Sequence, residues 1–117
     1  MPKSKTSERR LHPRVDNQLP INLAINGYDF ATATENISCL GAYCRIDKYI
    51  PPFTKVSVKL SLPQLSRPGG LPVECKGVIV RSEDDAKSGK FNVAIFFNQI
   101  NESQRKKIAQ YVNRFLP

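Results

Sequence analysis

The chain has 117 residues, 40% of them hydrophobic and 24% charged, with no tryptophan. That length supports one domain around one core, and the apolar fraction argues against a disordered chain. The net charge of +8 lies at the two ends, with five basic side chains against one acidic in residues 1–14, four against one in 102–117, and nine against eight between them.

No apolar run is long enough to span a bilayer, and the charged N-terminus has no hydrophobic stretch behind it as a secretory signal would. A cytoplasmic protein without membrane insertion is therefore expected. Residues 1–8 are polar and aperiodic and read as a flexible tail. Residues 9–117 read as a single domain: an arginine arm over 9–14, a barrel over 15–100 and a helix over 101–117.

The arm is Arg9-Arg10-Leu11-His12-Pro13-Arg14. Pro13 fixes its own φ and pushes His12 towards an extended conformation, so the arginines are presented on extended chain. Leu19 to Ile25 reads as a short strand, and Asn26-Gly27 is a strong two-residue hairpin signal. Tyr28 to Glu35 is the expected return strand, leading into a turn at Asn36-Ile37-Ser38-Cys39-Leu40-Gly41. Ala42 to Asp47 reads as the next strand, and Pro51-Pro52 interrupts, since no strand centre holds that pair.

Lys55 to Leu62 alternates without a break, which turns Val56, Val58, Leu60 and Leu62 to a core. Pro68-Gly69-Gly70 is expected to be a loop. Val73 to Arg81 reads as a strand with a bulge or bend at Gly77. Glu83 to Gly89 reads as a polar turn, and Phe91, Val93, Ile95 and Phe97 alternate on the last strand. Asn101 is a helix cap with Gln104 as its capping-box partner, and Ile108, Tyr111, Val112 and Phe115 follow helical spacing on one face. Six short strands and one terminal helix predict a mainly β fold, a six-stranded antiparallel barrel with a C-terminal α-helix.

Cys39, Cys44 and Cys75 are odd in number and form no CxxC pair, which argues against a disulfide scaffold and against zinc. Cys44 and Cys75 read as small buried hydrophobes, and Cys39 as packing within the turn. One histidine without a positioned nucleophile or acid is poor ground for catalysis. No catalytic residue, metal or cofactor is expected. His12 fits a loop filler or a contact to ligand phosphate.

Two segments carry recognition chemistry. Arginine holds five donors in a planar fork that grips phosphate, matches O6 and N7 of guanine, or stacks on a base. Asn36 and Ser38, two apart on one strand face, offer donors and acceptors to a planar edge, and Gly41 lets a neighbour approach the backbone. Each piece has an ordinary alternative: a solvated basic tail, and a strand-ending turn that satisfies its own backbone.

Together, Arg10-x-x-x-Arg14 and Asn36-x-Ser38-x-x-Gly41, which begins 22 residues after Arg14, resemble the signature of the PilZ domain family. Val78-Ile79-Val80-Arg81 and Val93-Ala94-Ile95-Phe96-Phe97 are similar to that family's late strands, with Ala94 where many members carry glycine. The resemblance implies a non-enzymatic receptor for cyclic di-GMP, with Arg10 and Arg14 on phosphate and guanine. Arg9 would add a third guanidinium, suited to the stacked pair of ligands that some members bind. The arm would fold over the ligand against a wall formed by Asn36, Ser38 and Gly41, and relay the change to a downstream protein partner in motility, adhesion, exopolysaccharide or virulence control. The alternatives are a basic barrel that binds nucleic acid, for which the sequence is poorly supplied with exposed aromatics, and a domain that binds only protein.

Overall fold

The alternation of Lys55–Gln64 is that of a half-buried strand, and in the computed structural model Val56, Val58, Leu60 and Leu62 are all in the core. The structure describes residues 12–64 and 66–116. Its strands are β1 Pro20–Ile25, β2 Tyr28–Ser38, β3 Gly41–Ile46, β4 Lys55–Gln64, β5 Arg67–Asp85 and β6 Lys90–Gln99. Among the described residues one helix, α1, spans Glu102–Asn113.

The strands close in the order β1-β2-β3-β6-β5-β4, every neighbour antiparallel. Closure leaves no unpaired sheet edge. Inward side chains from all six strands, among them Leu23, Ile37, Cys44, Val58, Val73, Ile79, Val93 and Phe97, fill the interior. The expected barrel with a C-terminal helix is what this chain forms.

β5 makes closure possible. It is long enough to pair its first part with β4, through Leu62↔Leu71 and Lys55↔Val78, and its second with β6, through Ile79↔Ile95 and Asp85↔Lys90. Register shifts between Lys76 and Val78 and between Ile79 and Arg81 bend it from one partner to the other. Gly77 sits at the first shift, where a Cβ would lie 2.8 Å from the Phe96 carbonyl oxygen. The bend expected at Gly77 is found there.

Other boundaries differ from the expectation. Pro68, Gly69 and Gly70 belong to β5 rather than to a loop, because the β4–β5 hairpin is tighter than the prolines and glycines suggest: Gln64 already pairs with Arg67, and the Ser61 hydroxyl donates to the Gly69 carbonyl at 2.8 Å. β5 likewise runs on to Asp85, so the turn beyond it is shorter than Glu83–Gly89. There Asp85 accepts hydrogen bonds from the Ser88 hydroxyl and the Lys87 amide. Asn26 and Gly27 both take positive φ, 50° and 86°, as a two-residue hairpin requires.

The segment leading into β1 is sewn to β2. Val15 and Ile37 exchange both backbone hydrogen bonds at 3.0 Å. Thr34, fully buried, accepts from the Leu19 amide at 2.9 Å and donates to the Asn17 carbonyl at 2.7 Å. A buried hydroxyl with both capacities met costs little and fixes position.

Asn101 caps α1, its side chain accepting from the Gln104 amide at 2.9 Å. The return half of the capping box is absent, since the Gln104 side-chain oxygen has no partner. Ile108, Tyr111 and Val112 are buried against the barrel, where α1 contacts β2 and β5. Phe115 does not join them. The helix ends at Asn113, and Phe115 is 53% exposed with its ring tilted on Tyr111.

Candidate functional site

Arg14 stands immediately before the Val15–Ile37 bridge, so the backbone pairing that holds Val15 also brings Arg14 to the end of β2. Its Nη1 donates to Asn36 Oδ1 at 2.6 Å, which joins the two sequence motifs across 22 residues. Arg14 is exposed and Asn36 half-buried, and among the described residues the guanidinium makes no other hydrogen bond. Arg9 and Arg10 lie outside the described residues.

The segment read as one turn over Asn36–Gly41 is a strand end, two turn residues and a strand start. Asn36, Ile37 and Ser38 are the last residues of β2, and Gly41 is the first of β3. Ser38 is 1% exposed, and its hydroxyl accepts from the Leu40 amide at 3.1 Å. The Leu40 carbonyl accepts from the Phe97 amide at 2.8 Å, which ties the turn to β6. At Gly41 a Cβ would run into the Ile95 carbonyl oxygen and lie 3.4 Å from the Phe96 Cα. Glycine is required here for β3 to approach β6, and any clearance for a ligand is additional.

Strand register adds residues that chain order concealed. Asn36 pairs with Tyr43, Tyr43 with Ala94, and Ala94 with Arg81. Residues directly opposite in antiparallel strands project to the same face. None of the four is buried, so they form one outward row across β2, β3, β6 and β5. With neighbouring strands roughly 4.8 Å apart, three gaps give a row roughly 14 Å long. An arginine stands at each end. Arg14 bonds Asn36, and the Arg81 guanidinium lies 5.6 Å from the centre of the Tyr43 ring. Ala94 lies between Tyr43 and Arg81. Phe96 on β6 and Val80 on β5, exposed large apolar side chains, lie on two of the row's own strands. The row can hold a flat, negatively charged molecule: guanidinium at both ends, an amide and an aromatic ring between.

His12 does not extend the row. Its Nδ1 lies 3.4 Å from the Cys39 Sγ. Cys44 is buried in the core, as expected, and burial followed by the charge of Glu35 pushes its thiol up to about 12. Cys75 is half-buried, and burial pushes it up to about 11. Both are protonated and unreactive near neutrality. Among the described residues no group of histidine, cysteine and carboxylate side chains is placed to hold a metal, and no helix is long and apolar enough to cross a membrane.

A family model described as PilZ domain matches residues 8–114, a span that takes in both arginine motif positions and the whole row. No curated protein matches the chain. Among solved structures the chain is similar to the Bacillus subtilis inhibitor of motility MotI/DgrA, at 21% identity and a TM-score of 0.79 over 91% of this chain; it spans 50% of that one. It is similar to the PilZ domain of YcgR from Escherichia coli, solved with c-di-GMP, at 10% identity and a TM-score of 0.64, covering 91% of this chain and 90% of that one. It is also similar to the PilZ domain of CeSA from a cellulose-synthesizing bacterium, at 18% identity and a TM-score of 0.59, covering 87% and 96%. At these identities the likeness is one of fold.

Proposed function

The chain belongs to the PilZ domain family, and on that premise we propose that it is a receptor for cyclic di-GMP, not an enzyme, and that it relays ligand binding to a partner protein. The observation that carries this reading is the 2.6 Å hydrogen bond from Arg14 to Asn36, which unites the two motif halves in one site. The similar Escherichia coli structure, which contains c-di-GMP, adds support from the same fold.

The ligand is a dianion with two flat guanines. Arg14 supplies a fork for a phosphate or a guanine edge, and Asn36 holds that fork beside the row. Arg81, whose guanidinium lies 5.6 Å from the centre of the Tyr43 ring, supplies a second cation, and Tyr43 the aromatic surface beside it. Arg9 and Arg10 would come over the ligand from the arm. Ser38 and Gly41 act one step back: Ser38 fixes the turn, and Gly41 fixes the β3–β6 approach that sets the row. The single ligand and the stacked pair differ in whether Arg9 has a base to cover. The reading places the protein in the cytoplasm, where a bacterial second messenger acts.

Relay follows a short path. The chain that carries Arg14 continues through Val15 to Asn17, whose side-chain amide donates to the Tyr111 hydroxyl at 2.8 Å. Drawing Arg14 onto a ligand pulls on this link and thus on α1. Control of motility is the first process to examine, given the name of the Bacillus subtilis neighbour.

Calorimetric titration of cyclic di-GMP into the wild type and into Arg14→Ala tests the site. Loss of one bidentate guanine or phosphate contact costs about 1–3 kcal/mol, so the variant should bind at least fivefold more weakly with an unchanged β spectrum by circular dichroism. Equal affinity for the two proteins would place the ligand elsewhere.

A further inference from the structure

A second cleft, of about 420 Å3, opens on a different part of the barrel wall, lined by Asn26, Lys55, Ser57, Lys76, Asn98 and Gln99 with the backbone of neighbouring residues. None of these residues belongs to the row of Asn36, Tyr43, Ala94 and Arg81. Among the described residues the lining has no carboxylate. Lys76 stands opposite Ser57 on β4 and opposite Gln99 on β6. Lys55 lies two residues from Ser57 on the same face of β4, diagonal to Lys76 and within reach for two long side chains. Elsewhere in the same ladder the pattern is different: Lys59 stands opposite Glu74. Among the described residues, neither Lys55 nor Lys76 takes part in an ion pair.

Two ammonium groups set diagonally on one face repel each other unless an anion lies between them. Around them stand the side-chain amides of Asn26, Asn98 and Gln99 and the hydroxyl of Ser57, all able to donate a hydrogen bond to oxygen. Among the described residues no aromatic side chain lines the cleft to take a base or another flat apolar group.

We propose that this cleft is a second ligand site, which binds a phosphoryl group between Lys55 and Lys76, with the neighbouring amides and Ser57 completing its shell. The cleft is larger than a bare phosphate needs, so the group is carried on a larger molecule, either a soluble phosphorylated metabolite or a phospholipid headgroup. The inference does not rest on what the arginine site binds.

The test is a titration of the full chain with inorganic pyrophosphate, followed by the amide resonances. The expected result is saturable shifts at Lys55, Ser57, Lys76 and Gln99. Lys55→Gln and Lys76→Gln should each weaken binding about tenfold, and Lys59→Gln, which removes the same charge outside the cleft, should leave it within about twofold. All three positions are exposed on strands, and the spectrum itself reports whether each variant is folded. Shifts that fail to saturate, that spread over the basic surface, or that weaken as much in Lys59→Gln as in Lys76→Gln would overturn the proposal. Sedimentation with phosphatidylglycerol vesicles, lost in Lys76→Gln, would support the site with a lipid source. Pyrophosphate shifts without sedimentation would support it with a soluble one.

Discussion

At the scale of single residues, the described motif positions divide into those exposed enough to meet the proposed ligand and those that shape the surface beside it. Arg14 is exposed with donors to spare, and Asn36 orients it. Asn36→Ala leaves Arg14 in place but without its guide, so cyclic di-GMP affinity should fall severalfold, less than for Arg14→Ala, as measured by the same calorimetry. Gly41 is different. A methyl there meets the Ile95 carbonyl oxygen on a neighbouring strand, and overpacking of that kind costs about 1–3 kcal/mol. Gly41→Ala should lower Tm by roughly 4 °C or more in a thermal melt, with or without ligand. An unchanged melt would mean that β3 and β6 separate more easily than the close approach implies. These two roles could not be told apart in the sequence. NxSxxG reads as a ligand edge and as a turn, and only strand pairing reveals that the Ser38 hydroxyl is buried and accepts from the Leu40 amide.

At the scale of elements, periodicity carried most of the information. The alternation in β4 and β6, the Asn26-Gly27 hairpin and the Asn101 cap all rest on local chemistry, and each is found where it was read. The misplacements fall where local signals and pairing compete. Pro68, Gly69 and Gly70 look like punctuation, yet they lie within β5, in the irregular stretch between the Gln64↔Arg67 and Leu62↔Leu71 pairs, with Gly69 and Gly70 at positive φ. Phe115 continues the helical spacing of α1 but lies past its end. The row of Asn36, Tyr43, Ala94 and Arg81 was illegible for a related reason, because register between four strands is set by bulges and by closure. Between the row and α1 runs the Asn17–Tyr111 hydrogen bond. Tyr111→Phe keeps the ring and removes the link, at a cost of about 1 kcal/mol. It should leave cyclic di-GMP affinity nearly unchanged while abolishing any ligand-induced change in amide exchange of α1. Persistence of that change in the variant would route the relay through other contacts.

At the scale of the whole molecule, charge and closure set the behaviour. A closed ring of six strands fixes the register of the row, and in the proposed relay the change on binding is carried to α1. The core contains one thiol held protonated, Cys44, and a second, Cys75, packs half-buried against it. Their pKa values in the fold, about 12 for Cys44 and about 11 for Cys75, lie above the ordinary value of 9.0. The unfolded chain therefore loses these protons first as pH rises. Their contribution to stability is complete below pH 9 and declines as pH climbs from there through about 12. Denaturant midpoints should fall over that interval, and a Cys44→Ala variant should show a smaller fall from its own neutral-pH value. The net charge of +8 attracts any polyanion, which makes salt and specificity the decisive controls for the central claim. The most direct measurement is calorimetric titration of the wild-type chain with cyclic di-GMP at physiological salt, beside GTP and a short single-stranded oligonucleotide. The account predicts saturable binding to cyclic di-GMP alone, with a stoichiometry of one or two ligands per chain. No heat with cyclic di-GMP, together with salt-sensitive binding to the oligonucleotide, would contradict it.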